Sequence, residues 1–277
     1  MKLAIVGIWY DGYYDLWEDF LDLFFRFWPD CPYPLYIIDQ EKDLNFPVKY
    51  NATILHAGKD AEYSRKVQLA VREIDADYYL FLLEDFFIGK RLSANVLTEV
   101  MESMVNNNIK YYQMPIKEFI QKKDRGKIIS ITASMDYTLT CQPSIWRKDF
   151  LTQCIGTRNY NAWIFEGIYK TSSVAHSDEF LNGCFVDYCN RLDLHHGALQ
   201  GKILHSAYNY FNKIGYHFHT SRQELGIFGE IKHKLKQLCI NLIPLKLHKY
   251  AKRIMHYKSV TGRYEKEINA LINEMNL

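Results

Sequence analysis

The chain opens on an unbroken apolar run, Leu3–Ile8 (LAIVGI), the mark of a strand covered on both faces. Leu16, Phe20, Leu23, Phe24 and Phe27 then recur at helical spacing. This predicts a helix over 15–28 with Asp15, Glu18, Asp19 and Asp22 on its wet side, ended by Pro29 and Pro32. Leu35–Ile38 is a second short strand closing on Asp39, and Ala52–Leu55 is a third. It leads through Gly58 into a helix that buries Tyr63, Val67, Ala70, Val71 and Ile74, with Arg65, Lys66 and Arg72 off that face. Tyr78–Leu83 (YYLFLL) is the strongest strand, and a helix from near Ser93 buries Val96, Leu97, Val100, Met101 and Met104. Repeated β-α-β-α order predicts an α/β fold: a mainly parallel, Rossmann-like sheet flanked by helices.

The middle is less regular. Tyr111–Met114 and Ile128–Thr132 read as strands around a polar loop at 121–126, and Ile145–Leu151 as the start of a helix. Beyond Gly229 the pattern changes to basic amphipathic helices interrupted at Pro244. The expected organisation is one α/β domain over 1–228 and a helical extension over 229–277.

Charge sharpens that division. The chain balances at +2, yet Lys232 to Arg263 carries nine Lys or Arg and no Asp or Glu. The first hundred residues are acidic, led by Asp11, Asp15, Glu18, Asp19 and Asp22. A basic amphipathic tail of this kind suits an anionic membrane surface, with docking onto the chain's own body and an oligomer interface as alternatives. Nucleic acid is a poorer partner, since the rest of the chain is not basic. The six cysteines form no CxxC pair and no zinc-site spacing. The apolar start runs straight into Asp11, too short for a signal peptide, and no stretch reaches a membrane span. Reduced thiols in the cytoplasm are expected. An aromatic share of 15%, with 21 Tyr, adds weak support for a sugar or nucleotide ligand.

In a parallel sheet, ligands bind beyond the carboxyl ends of the strands. YYLFLLEDFF places Glu84 and Asp85 at that edge. Two adjacent carboxylates there call for a cation. A divalent Mg²⁺ or Mn²⁺ bridging a nucleotide diphosphate would serve, because such ions take one or two carboxylates plus phosphate oxygens. The plain alternative is a loop that begins with two acidic residues.

The stretch SRKVQLAVREIDADYYLFLLEDFFI resembles the donor-site half of GT-A-fold glycosyltransferases from bacterial polysaccharide gene sets. LTCQPSIWRKDFL, NAWIFEG and HHGALQGKI resemble later blocks of that group, so the resemblance covers about residues 3–205. It implies transfer of a sugar from a nucleotide-sugar donor to a glycan or lipid-linked glycan, in surface polysaccharide synthesis at the inner face of the cytoplasmic membrane. Asp85 would be the metal or diphosphate contact, with Glu84 assisting. Phe86 and Phe87 stand where the family has its second aspartate, which leaves open a Lys or Arg in place of a metal. Glu166, in WIFEG, matches the position of an inverting enzyme's base, and its aromatic setting favours a raised pKa. A glutamate favouring a helix dipole is the other reading, and Asp178 and Glu179 are the next candidates for the base.

Further donor-site candidates follow from position. Tyr10 and Asp11 after the first strand would flank the nucleobase, and Asp39 would meet ribose or base. Arg65, with Lys66, would meet base or phosphate, and Lys202 the diphosphate. Among the histidines, His196 or His205 would be the late metal ligand some of these enzymes recruit, whereas His217 and His219 read as strand or loop residues. Two other functions stay in view. A nucleotidyltransferase on a similar sheet wants a Gly-rich basic loop after the first strand, where this chain has Trp9-Tyr10-Asp11-Gly12-Tyr13. A membrane-docked assembly factor without activity would explain the absent second aspartate.

Overall fold

The computed structural model describes residues 1–42, 50–232 and 260–277. Eight strands form the central sheet: β1 (Leu3–Ile8), β2 (Leu35–Asp39), β3 (Ala52–His56), β4 (Tyr78–Leu82), β6 (Tyr111–Gln113), β7 (Ile128–Ser130), β8 (Ser144–Arg147) and β9 (Cys184–Asp187). Their spatial order is β3-β2-β1-β4-β8-β6-β9-β7. β1 pairs in parallel with β2 and β4, β2 with β3, and β6 with β9. β8 runs antiparallel between β4 and β6, and β7 runs antiparallel on the edge beside β9. The fold is therefore α/β with a mainly parallel sheet, as the element order predicts.

Side chains of β1 and β4 alternate between two cores, which is why both strands read as unbroken apolar runs. Leu3, Ile5, Tyr78, Leu80 and Leu82 join the core under α1 (Trp17–Phe27), α3 (Thr98–Asn106) and α7 (His205–Lys213). Ala4, Val6, Ile8, Tyr79 and Phe81 join the core under α2 (Tyr63–Glu73), α4 (Lys148–Ile155) and α5 (Ala162–Thr171). A four-residue α6 (Asp178–Leu181) precedes β9. Near the end, α8 (Val260–Arg263) leads into α9 (Glu265–Met275). Ile268 and Leu271 of α9 are buried in the second core, and α9 packs on α5. The extension thus ends docked on the α/β body. Its basic stretch at 233–259 lies outside the described residues.

Three local expectations are corrected. Residues 145–147 are strand: Ser144, Ile145 and Trp146 are buried between β4 and β6, and the helix starts at Lys148. A short apolar run is ambiguous between helix and strand until the sheet offers it a slot. Asp19 is wholly buried, although its charge placed it on the wet face. It lies on the stripe of Leu16 and Leu23, and it accepts hydrogen bonds from Tyr216 Oη (2.8 Å), His219 N (2.8 Å), His219 Nδ1 (2.9 Å) and Thr220 N (3.3 Å). Lys66 is likewise buried at 3% exposure, one turn from Tyr63 and Ala70 on the inner face of α2.

Candidate functional site

The carboxyl ends of β1, β2 and β4 lie side by side, so the residues that follow them share one edge of the sheet. The Trp9 N–H extends the β1–β2 ladder to Ile38 O (2.9 Å). Beyond it, Asp11 is fixed by the turn after β2: its carboxylate accepts from Gln40 N (3.0 Å) and Glu41 N (3.2 Å). Asp39 ends β2 with no exposed surface. One of its oxygens meets His56 Nδ1 at 2.7 Å, while Oδ2 is buried without a hydrogen-bond partner among the described residues. Burial raises the Asp39 carboxyl above its ordinary value; His56 opposes this and the Asp11 charge adds to it.

Lys66 reaches this edge from α2. Its Nζ donates to Trp9 O and stands 5.9 Å from the Tyr10 ring centroid. Burial lowers its pKa against the pull of Glu84, Asp11 and Asp39. Glu84 is also buried, and Tyr10 N donates to its Oε1 at 3.4 Å. Burial, helped by repulsion from Asp85, pushes the Glu84 carboxyl up to about 8, with the Tyr10 N–H and Lys66 acting the other way. Burial therefore drives both members of this pair toward their neutral forms, against their mutual attraction. Tyr10 itself is 56% exposed, an aromatic face at the rim of a buried polar cluster.

Asp85 is held on the other side of the turn. β5 (Phe86–Ile88) follows at once and pairs antiparallel with β10 (Leu194–His196). The Gly197 N–H donates to Asp85 O at 2.7 Å. His196 Nε2 sits 3.3 Å from Asp85 Oδ2. Burial works to lower the His196 pKa, but Asp85 first, then Glu118 and Glu230, raise it above its ordinary value. Of the two histidines expected near the site, His196 is beside the acidic turn; His205 is engaged with Glu224 and Asn209.

A hairpin of β11 (Ala198–Leu199) and β12 (Lys202–Ile203) continues directly from Gly197. Lys202 on it pairs with Leu199 through its backbone and is exposed, with no side-chain hydrogen bond or ion pair among the described residues. Arg222 pins the wall of the site formed by residues 11–16. Its guanidinium donates to both Asp15 oxygens (2.7 Å each) and to Gly12 O (2.9 Å), and lies 4.1 Å from the Tyr13 ring centroid. Arg65 is exposed and stands outside this group; the adjacent lysine takes the inward position.

Glu166 belongs to a second group. Asn161 caps α5 by accepting from Ile164 N (3.1 Å), which places Glu166 in the second turn, one turn beyond the exposed Trp163. Its Oε1 accepts from Cys141 N (3.0 Å). Burial raises the carboxyl, while that N–H and Lys170 act to lower it. β8 starts opposite Phe81 near the carboxyl end of β4, so the Cys141 loop that precedes it approaches the same sheet edge. No hydrogen bond or ion pair joins Glu166 to Glu84 or Asp85 among the described residues. Asp178 and Glu179 occupy the first turn of α6 behind the Ser177 cap.

At the acidic turn the donor set for a cation is Asp85 with His196, since Glu84 faces Tyr10 and Lys66. One carboxylate and one imidazole fit an ion that completes its shell with phosphate oxygens and water. The tighter group of three possible ligands among the described residues is elsewhere, at Glu18, Asp22 and His219.

No family model and no curated protein matches the chain. Among solved structures, S. aureus TarS 1-349 matches at 12% identity over 55% of this chain and 48% of that one, with a TM-score of 0.41. S. aureus TarS 1-349 in complex with UDP matches at 12% identity over 96% and 92% of the two chains, TM-score 0.44. A cytidylyltransferase from Leptospira borgpetersenii matches at 10% identity over 70% and 78%, TM-score 0.41. In the first of these matches the chain spans about half of the solved structure's length. Likeness at this level leaves the function to the residues.

Proposed function

We propose that the chain transfers a sugar from a nucleotide donor to a hydroxyl of a glycan or lipid-linked glycan at the cytoplasmic membrane. The observation that carries this reading is the edge cluster of Tyr10, Asp39, Lys66, Glu84 and Asp85, built from the residues that follow three adjacent parallel strands. A nucleobase would lie on the exposed Tyr10 ring, and the partnerless Asp39 Oδ2 would accept one of its N–H groups. Asp11 would line the ribose, and Lys66, rather than the outlying Arg65, would meet the phosphates. Asp85 and His196 would hold a Mg²⁺ or Mn²⁺, whose chemistry is to neutralise the departing diphosphate. Lys202 would add charge from the hairpin. Glu166 would take the proton of the attacking hydroxyl as that oxygen bonds to the anomeric carbon and the bond to the diphosphate breaks, with inversion. Its raised pKa supports that role.

The test is transfer of labelled sugar from a panel of nucleotide sugars, with Asp85→Asn and Glu166→Gln beside the unaltered chain. Asp85→Asn is expected to weaken donor binding, and Glu166→Gln to lower turnover with donor binding kept. Full transfer by both variants would sink this assignment. Release of pyrophosphate from a nucleoside triphosphate would favour the nucleotidyltransferase. No thermal response to any nucleoside diphosphate, with or without Mn²⁺, would favour an inactive assembly factor.

A further inference from the structure

Residues 227–232 are helical, with an inverted polarity. The acidic residue points inward: Glu230 is 6% exposed, accepts from Ser206 N at 2.9 Å, and acts on His196. The apolar residues point outward. Ile227, Phe228 and Ile231 are 49%, 85% and 45% exposed, and Ile227 and Ile231 stand one turn apart on the same face. A helix facing water carries the opposite arrangement. Among the described residues Phe228 is the most exposed of the large apolar side chains, and Lys232 beside this face is exposed too.

We propose that Ile227, Phe228 and Ile231 form a wedge that docks the chain on an anionic lipid surface. The charge of the adjoining sequence selects this occupant. Lys232–Arg263 contributes nine cationic residues and no acidic one. Interfaces between proteins are depleted of lysine at their cores, whereas helices that lie in a bilayer interface combine exposed aromatic and aliphatic groups with a lysine-rich flank. Anionic headgroups suit both features: the wedge enters the acyl boundary and Lys232 at its edge meets the phosphates. Glu230 fastens this helix to Ser206 N, two residues beyond Leu204, whose N–H donates to Gly197 O (2.9 Å) as the Gly197 N–H donates to Asp85 O (2.7 Å). Docking therefore sets the acidic turn next to the lipid surface, where a lipid-linked acceptor would be presented. That last step rests on the sugar-transfer reading; the docking does not.

The full-length chain is sedimented with phosphatidylglycerol vesicles and with phosphatidylcholine vesicles, beside a Phe228→Ser/Ile231→Ser double variant. Binding to phosphatidylglycerol and not to phosphatidylcholine is expected, weakened by salt. The double variant is expected to lose on the order of tenfold in partition, the effect of withdrawing two apolar side chains from the interface. Equal partition of both chains overturns the wedge, as does failure of the unaltered chain to bind phosphatidylglycerol. A dimer of the unaltered chain that the double variant abolishes overturns it as well, by assigning the face to a second copy. Phe228→Trp keeps the question answerable if the serine variant does not fold: added emission that shifts to the blue on phosphatidylglycerol vesicles supports insertion, and unshifted emission refutes it. Donor hydrolysis in vesicle-free buffer reads sugar transfer separately, so either proposal can fail without the other.

Discussion

Asp19→Ala tests how far the wall at residues 11–16, beside the proposed donor site, depends on a single buried carboxylate. Asp19 has no exposed surface and receives four hydrogen bonds, three of them on Oδ1. All four come from residues 216–220, so the substitution strips one short segment of its anchor. The cost depends on what water can replace. Tyr216 is 6% exposed, and its buried hydroxyl would keep only the long 3.4 Å contact to His219 Nδ1, a loss that costs about 1–3 kcal/mol. The His219 side chain is 46% exposed, so its Nδ1 bond passes to solvent at small cost. The two backbone N–H groups fall between these limits. About 3 kcal/mol in total is expected, less whatever is recovered by no longer burying the carboxylate, whose pKa burial raises. The segment leads into Arg222, which braces Asp15, Gly12 and Tyr13 beside the proposed donor cluster. Urea unfolding gives the global cost, and hydrogen exchange at the His219 and Thr220 amides gives the local one. Loss of amide protection together with weaker donor binding is expected. If those amides stay protected in the variant, Asp19 does not anchor the segment and the argument is wrong.

Three further perturbations probe the cluster itself. Glu84 has a carboxyl near 8 in the fold against an ordinary 4.5, so the folded chain holds that proton more tightly and stability falls as pH rises from 4.5 to about 8. In EDTA, Glu84→Gln is therefore expected to change little at pH 4.5 and to stabilise by a few kcal/mol above about pH 8; a gain that does not vary with pH would refute the shift. Lys66→Met is expected to abolish nucleotide binding in calorimetry, while Arg65→Ala changes affinity by no more than about 1 kcal/mol; the reverse order would return the role to Arg65. Gly197→Ala would place a Cβ 2.1 Å from the Phe87 ring, so it is expected to prise β10 from β5 and cost about 1–3 kcal/mol, with an unchanged melting temperature as the contrary result.

The sheet was legible because a buried strand declares itself within its own few residues. Leu3–Ile8 and Tyr78–Leu82 need no distant information to read as two-sided strands, and the order of strands and helices then implies a parallel sheet. The edge position of Glu84, Asp85, Asp39 and Tyr10 followed from that topology. The strand at Ser144–Arg147 was hidden because its identity comes from its neighbours: only the slot between β4 and β6 makes Ser-Ile-Trp-Arg extended. The partner of Asp85 was harder still. His196 lies more than a hundred residues downstream, and it meets the acidic turn only because β10 pairs with β5.

Asp19 and Lys66 share one reason for being misplaced, and the reason also says how to look for such residues. Each was assigned to solvent by its charge, yet each sits on the apolar stripe of its helix, Asp19 with Leu16 and Leu23, Lys66 with Tyr63 and Ala70. An apolar side chain is satisfied on that stripe by any apolar neighbour, so its burial follows from local periodicity. A charged side chain is tolerated there only if specific polar groups come to meet it. For Asp19 they arrive from a segment 200 residues away; for Lys66 they are Trp9 O and the carboxylates beyond three strands. The partners are invisible to a short window, but the conflict between charge and stripe is not. A charge inside an apolar helical stripe is therefore evidence for a distant polar partner. Here Asp19 marks the brace of the wall at residues 11–16, and Lys66 the centre of the edge cluster proposed to bind the donor.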